Sequence, residues 1–496
     1  MNNILKIRKE DVVAVALAEI KKGSVIVCDG KEITVLADIP RGHKVAVENI
    51  KKGEKVIKYG FSIGTAKNDI KIGDHVHTHN VATALTSRSE YTYNHTVNEL
   101  DCANFNNATF NGYMRENGEV GVRNEVWVIP TVGCVNAIAK QIAENAQKYK
   151  GENIDGIFHF SHPYGCSQLG GDMVYTQKLL AGMVNHANAG AVLVLGLGCE
   201  NNLISEFKKV LGETNDCRVQ FMNCQDYDDE YEKADEIMQK LCEYANTFKR
   251  TPCPVSKLTL GLKCGGSDGF SGITANPLVG MVADSLVLAD GKVILTEVPE
   301  MFGAETVLMD RCCNQETFNK TVELVNDFKD YFGKYGEGVG ENPSPGNKAG
   351  GITTLEDKSL GCIQKGGFSQ VNDVLAYGDV ATQKGLSLLQ APGNDLVATC
   401  ALCAAGAQIV LFTTGRGTPF AGPVPTVKIA TNSDLANRKS GWIDFDAGRI
   451  VSEGIPFEQL NKELFEFILE IANGKQVKSE KLSKSELAIF KDGVTL

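Results

Sequence analysis

Seven short runs, VWVI, IDGIFHF, AVLVLGLG, VQFM, LTLGLKCG, KVILTEV and QIVLFTT, recur between Val126 and Thr414, and polar, often glycine-containing segments follow most of them. Runs of this length without strict alternation fit strands covered on both faces, and helical patterns between them, such as Ala137 to Tyr149, fit the covering layer. The pattern specifies α/β layers with mainly parallel sheets. In such sheets ligand clefts form at the carboxyl ends of strands, so the polar residues just after these runs are the first candidates for chemistry.

Before residue 84 the pattern differs. Short stretches such as SVIV, ITVL and KVIK are separated by Asp-Gly, Arg-Gly-His and Lys-Gly-Glu turns, which predicts a compact β domain over 1–83. Residues 84–120 are rich in Asn, Thr and Tyr and read as a connector or ordered arm. A first α/β domain then occupies 121–250, and a second follows over 251–496 from the break at Thr251-Pro-Cys-Pro.

Charge narrows the function classes. With 50 Lys+Arg against 61 Asp+Glu, the net charge of -11 gives no general attraction for nucleic-acid phosphate or anionic lipid, so neither is an expected partner. The N-terminus lacks a signal-peptide pattern and no apolar run reaches membrane-spanning length, so a soluble, cytoplasmic protein is expected. The 15 cysteines are scattered and odd in number, which favours reduced thiols. Cys400 and Cys403 form one CxxC spacing, but ATCALCAAGA reads as a buried helix.

All eight histidines lie at or before His186, and DHVHTHN holds three. If that segment is extended, His75, His77 and His79 share a face and can ligate zinc, nickel, iron or cobalt in preference to magnesium; an exposed edge strand is the alternative. In HFSHPYGCSQ, His162 can be a base or ligand, and Cys166 a soft ligand or a packed thiol. In GCENN, Glu200 can bind metal or move a proton, or simply cap a helix. Cys134 lies in a strand-to-helix turn preceded by Arg123 and Asn124, an anion clamp unless Arg123 is a surface ion pair. The loop CGGSDGFSGITAN exposes Ser267 and Asp268 to a ligand without matching a dinucleotide or phosphate-loop order. Further on, Asn347, Lys348 and Arg416 suit a hydroxylated carboxylate.

Together the stretches GDHVHTHN, GVRNEVWVIPTVGCVN, CGGSDGFSGITANP, TEVPEMFGAE, ENPSPGNKAGGITTLEDKSLGC, TTGRGTP and AIFKDGVTL resemble the altronate/galactarate dehydratase family over essentially the whole chain. The resemblance implies an N-terminal SAF-type β-clip domain and a larger catalytic region. It also implies loss of water from a sugar acid, D-altronate giving 2-dehydro-3-deoxy-D-gluconate, with galactarate as the alternative substrate and Fe2+ or Mn2+ as cofactor.

Such a reaction needs a base near C2, positive charge at the carboxylate and an acid near the C3 hydroxyl. The expected assignment puts a metal at His75, His77 and His79, with Cys134 and Cys166 as lower-ranked ligands. His162 is the leading base, Glu200 and Lys348 complete the catalytic set, and Arg123, Asn124, Ser267, Asp268, Asn347 and Arg416 bind substrate. Two rivals stand beside it: an iron–sulfur dehydratase using Cys134, Cys166, Cys199 and Cys264, and a sugar-acid binding or assembly module with regulatory histidines. A homo-oligomer is compatible with the sequence and not specified by it.

Overall fold

The computed structural model describes residues 3–482 and 486–496. Its N-terminal part is built from short antiparallel strands in three small sheets, the largest ordered Ile4–Leu5, Val13–Ala16, Lys44–Ala46, His75–Val76. Asp29-Gly30 and Tyr59-Gly60 turn the hairpins with positive φ at both positions, the geometry that matches strand twist.

Residues 85–108 form no regular element but are fastened to the C-terminal unit. The Tyr91 hydroxyl donates to Glu305 at 2.5 Å, Tyr93 donates to the Cys312 carbonyl, and Asn326 bonds the Ser89 backbone. The strand Thr109–Met114 then pairs antiparallel with Arg250–Pro254. The region expected as an arm thus contains a strand, and the boundary expected near Thr251 falls inside its partner.

The first α/β unit has four parallel strands in the order Gly156–His159, Glu125–Pro130, Ala189–Gly196, Val219–Asn223. Both faces are buried, with Val126, Val128, Leu193 and Leu195 in one core and Trp127, Ile129, Val192 and Val194 in the core shared with the C-terminal unit. This double covering is why these strands read as continuous apolar runs. The second unit is one seven-stranded parallel sheet, ordered Val371–Leu375, Gly385–Leu389, Lys292–Leu295, Thr259–Cys264, Ile409–Thr414, Thr426–Ala430, Phe445–Asp446. Cys400 and Cys403 are buried on the helix Asp395–Ala404, as the sequence pattern suggested.

Two long-range ties join the parts. Asp357, on the helix Leu355–Cys362, accepts from Lys44 at 2.8 Å and Lys58 at 2.9 Å, fixing the β domain to the C-terminal unit through a fully buried ion triad. Residues 487–496 return to the first α/β unit, where the Leu487 amide donates to the Ser161 carbonyl and the Asp492 and Gly493 amides donate to Asp172.

Candidate active site and metal centre

The strand Thr259–Cys264 delivers the glycine-rich loop to the carboxyl edge of the large sheet. A side chain at residue 265 would collide with Asp395, its Cβ lying 2.6 Å from a carboxylate oxygen, so the loop passes there only as glycine. Beyond it Asp268 faces a cleft of about 360 Å³ lined also by Arg41, Phe270, Arg416, Asn432 and Arg438. The Asp268 carboxylate accepts from the Thr431 hydroxyl at 2.9 Å, Asn432 Nδ2 at 3.1 Å and the Phe270 amide at 3.1 Å. Burial pushes its pKa above the ordinary value, and these bonds only partly offset it. One wall thus combines a carboxyl group of raised pKa with cations able to hold a carboxylate.

The β domain supplies a second wall. Register pairs Lys44 with Val76 and Val45 with His75, which carries His43 opposite His77, their rings 4.7 Å apart. His43 Nδ1 and His75 Nε2 are 3.0 Å apart, and the His75 ring lies 5.6 Å from that of His77 and 5.3 Å from that of His79. Only His75–Val76 is strand; the chain turns over 77–80, so the three imidazoles converge by a turn and not by the period of two assumed from the sequence. The cluster reaches the cleft through His43 Nε2, 3.3 Å from the carbonyl of Ala349, a cleft-lining residue. Burial, then neighbouring imidazoles and Lys44, push His75 down to about 4 and His77 down to about 3, and burial also lowers His43. Neutral imidazoles at pH 7 offer lone pairs without proton competition.

Behind Asp268 lies a buried polar network that joins Cys264 and the acids Glu297 and Glu300 to Cys362 and three lysines. Cys264 Sγ is 3.4 Å from Cys362 Sγ, Cys362 is 3.1 Å from Glu300 Oε2, and Lys365 Nζ is 3.0 Å from Cys264 Sγ. Lys358 bonds Glu300 at 2.8 Å, while Lys263 pairs with Glu297. Burial opposes the charge on Glu300, but Lys358, Lys263 and Lys365 outweigh it and keep the carboxyl ionised. The Cys264 contact and burial push the Cys362 thiol up. Cys264, Glu300 and Cys362 place three ligand atoms within 4.8 Å of one another, a set capable of coordinating a divalent metal. The two thiols are soft donors and the carboxylate a hard one, a mixed set that suits a divalent transition metal.

Several expected site residues sit elsewhere. Arg123 is fully engaged, bonding both Glu480 oxygens at 2.8 Å and the carbonyls of Val122, Ile471 and Lys475, so it has no donor left for a substrate carboxylate. Asn124 spends its amide on Asn153, Ala245 and Arg115. His162 is not placed as a base: Nε2 is 2.8 Å from the Pro130 carbonyl, Nδ1 accepts from the Tyr164 amide, and burial pushes the ring down to about 4. Glu200 is likewise internal. Burial alone would raise its pKa, but the Thr131 hydroxyl and the Gly198 and Leu197 amides bring it below the ordinary value and lock it into its own loop.

Of the remainder, Arg416 and Asp268 line the cleft, Ser267 lines a narrow cavity shared with Asp268, Lys358 and Cys362, and Lys348 is half-buried on the short helix Pro345–Ala349. Asn347, at the third position of that helix, accepts from the backbone of its cap Ser344 and donates to the Ser267 carbonyl at 2.8 Å, an indirect role. Cys134 and Cys166 are exposed on the first α/β unit and form no group with the imidazoles in which three ligand atoms lie within 4.8 Å of one another. His162→Ala should strand a buried carbonyl and amide and destabilise the protein by about 1–3 kcal/mol per stranded group, measurable by urea unfolding.

His43, Arg41 and Arg438 escaped the sequence reading. His43 sits in GHKVAVENI, and only the register with a segment 32 residues later makes it part of the cluster.

Three family models match consecutive parts of the chain: the altronate/galactarate dehydratase SAF domain over residues 2–84, the D-galactarate dehydratase/altronate hydrolase second domain over 112–246, and the D-galactarate/altronate dehydratase C-terminal domain over 255–495. Among curated relatives, altronate dehydratase of Bacillus subtilis (strain 168) is 52% identical over 498 residues, covering 100% of both chains. Altronate dehydratase of Escherichia coli (strain K12) is 53% identical over 494 residues, 99% of each chain. Galactarate dehydratase (L-threo-forming) of the same organism is 32% identical, covering 90% of this chain and 88% of its own. The SAF-type β domain and the two parallel-sheet units are therefore those of a known enzyme group, and the chain belongs to the D-galactarate/altronate dehydratase family.

Proposed function

We propose that the chain is a hydro-lyase that removes water from D-altronate to give 2-dehydro-3-deoxy-D-gluconate. The observation that carries the reading at the site is the cleft where Asp268 and the guanidinium groups of Arg41 and Arg416 meet the imidazole cluster. The full-length identity to two altronate dehydratases favours altronate over galactarate.

Arg416 and Arg41 hold the substrate carboxylate, which lowers the cost of the negative charge that spreads onto it when C2 loses its proton. Asp268 takes that proton; burial raises its basicity, and Thr431 and Asn432 fix its direction. Cys264, Glu300 and Cys362, whose ligand atoms lie within 4.8 Å of one another, are the residues that would hold Fe2+ or Mn2+, and the four imidazoles would have to draw closer than they stand here to share that role; the ion when bound supplies Lewis-acid stabilisation of charge on oxygen. The β domain closes one side of the cleft and limits water access. A cytoplasmic location is part of the same proposal, which the scattered and odd-numbered cysteines of the sequence favour.

The test follows 2-keto-3-deoxy acid formation under anaerobic conditions with altronate, galactarate and mannonate, adding ferrous, manganese or magnesium ion to metal-free protein. Strong turnover of altronate with iron or manganese is expected. Activity confined to galactarate would replace the substrate, and no turnover by folded, metal-loaded protein would overturn the reading. Arg416→Ala should raise KM for altronate by about tenfold or more, the loss of a charge-assisted bond of roughly 1.5–3 kcal/mol.

A further inference from the structure

At the carboxyl edge of the four-stranded sheet, three neighbouring strands each lead into a loop bearing one exposed, free cysteine. Cys134 follows Glu125–Pro130, Cys166 follows Gly156–His159 and Cys199 follows Ala189–Gly196, with the first strand between the other two. None of these thiols has a role in the reading of the cleft given above.

The loops are tied to one another close to the cysteines. The Gly133 amide donates to the Tyr164 carbonyl at 2.8 Å, the Asn202 amide to the Gly165 carbonyl at 2.9 Å, and the Ser167 amide to Asn201 Oδ1 at 2.8 Å. A Cβ at Gly165 would stand 2.0 Å from the Thr131 carbonyl oxygen, so this approach of two loops requires glycine. Ser167 adopts φ +58°, a strained value for a residue with a side chain. His162 and Glu200 serve the same end, since every partner they have belongs to these loops or to the adjoining strand ends. A rigid buried framework therefore presents three thiols outward.

We propose that Cys134, Cys166 and Cys199 ligate a cubane iron–sulfur cluster through three of its irons, leaving the fourth open to an oxygen ligand. A single tetrahedral ion with bonds of about 2.3 Å would need its sulfurs roughly 3.8 Å apart. Among the described residues the set that closes to within 4.8 Å is Cys264, Glu300 and Cys362, so Cys134, Cys166 and Cys199 do not close around a single ion. Cys264, grouped with them by sequence, lies buried in the other sheet's network, which leaves three protein thiolates. Hydrogen-bond donors that tune cluster sulfur are at hand: Gln225 Nε2 is 3.6 Å from Cys199 Sγ, Ser167 Oγ is 3.9 Å from Cys166 Sγ, and Gln168 Nε2 is buried without a partner two residues from Cys166. Ligation releases three thiol protons as three S–Fe bonds form and changes no oxidation state.

The experiment reconstitutes the full chain anaerobically with iron and sulfide, then measures iron, acid-labile sulfide and visible absorption, and maps by mass spectrometry which cysteines resist alkylation. About four irons and four sulfides per chain are expected, with Cys134, Cys166 and Cys199 protected together. Each of C134S, C166S and C199S should lose the labile sulfide, whereas C264S should keep it. Absence of labile sulfide, protection of other cysteines, or an unchanged chromophore in the triple variant would overturn the proposal. These readouts are independent of altronate turnover, so failure here is separable from failure of the substrate reading.

Discussion

Replacing Asp268 with Asn is expected to lower kcat for dehydration by about 10²–10⁴-fold, the span that a positioned proton-transfer group contributes. The substitution keeps the shape and one acceptor oxygen, so the bonds from Thr431 and Phe270 survive while the basic oxygen is lost. In the wild-type protein the base is active when ionised. Because burial raises its pKa, activity should fall as pH drops through a value above that of an ordinary aspartate. That acid limb should vanish in the residual activity of Asp268→Asn. A variant with wild-type kcat and an unchanged pH profile would remove Asp268 from the chemistry, and a far-ultraviolet melting curve matched to wild type would exclude misfolding as the cause of any loss.

Asp357→Asn should cost about 3–5 kcal/mol of stability, because removing the shared carboxylate strands two buried ammonium groups. Lys44 and Lys58 both point at this one acid, and burial already pushes Lys44 down to about 8, so little else compensates the charge. The Thr353 amide loses a charged acceptor as well. The sign of the pH dependence is fixed by the direction of the shift. Burial works against the charge on Asp357, but the two lysines outweigh it and hold the carboxyl well below its ordinary value. Its contribution is therefore complete above the unfolded-state value near about 4 and is lost as pH falls below it. Denaturant titrations of wild type and variant at pH 7 and at pH 3 should show a gap that narrows at the lower pH; an equal gap at both would count against the triad.

How much of this was legible in the sequence depends on what each residue is surrounded by. The strands from Val126 onward announced themselves because both faces are covered, which leaves no polar position to break the run. Lys263 was camouflaged by the same rule, a fully buried ammonium inside LTLGLKCG whose partner Glu297 lies on the next strand's loop. The histidine segment was legible by composition, yet its geometry came from a turn, and its fourth member needed the pairing of two strands to be known. The larger misreading concerned polar residues at strand ends. His162, Glu200 and Asn124 occupy positions where a ligand would be expected, but a tight loop has amides and carbonyls of its own to satisfy, and these side chains are consumed in doing so. Nothing in the residue types separates the two uses.

The return of residues 487–496 to the first α/β unit bears on how the protein is made. Asp172 meets the amide of Asp492, which lies 320 positions later in the chain. While the ribosome is still producing the seven-stranded unit, the loop at Ser161 and the acid at Asp172 stand uncovered, so the earlier unit emerges in a provisional state and is finished only when the later segment arrives. Synthesis order and completion order are therefore opposed in this fold, and the edge that carries Cys166 is among the last surfaces to reach its final form.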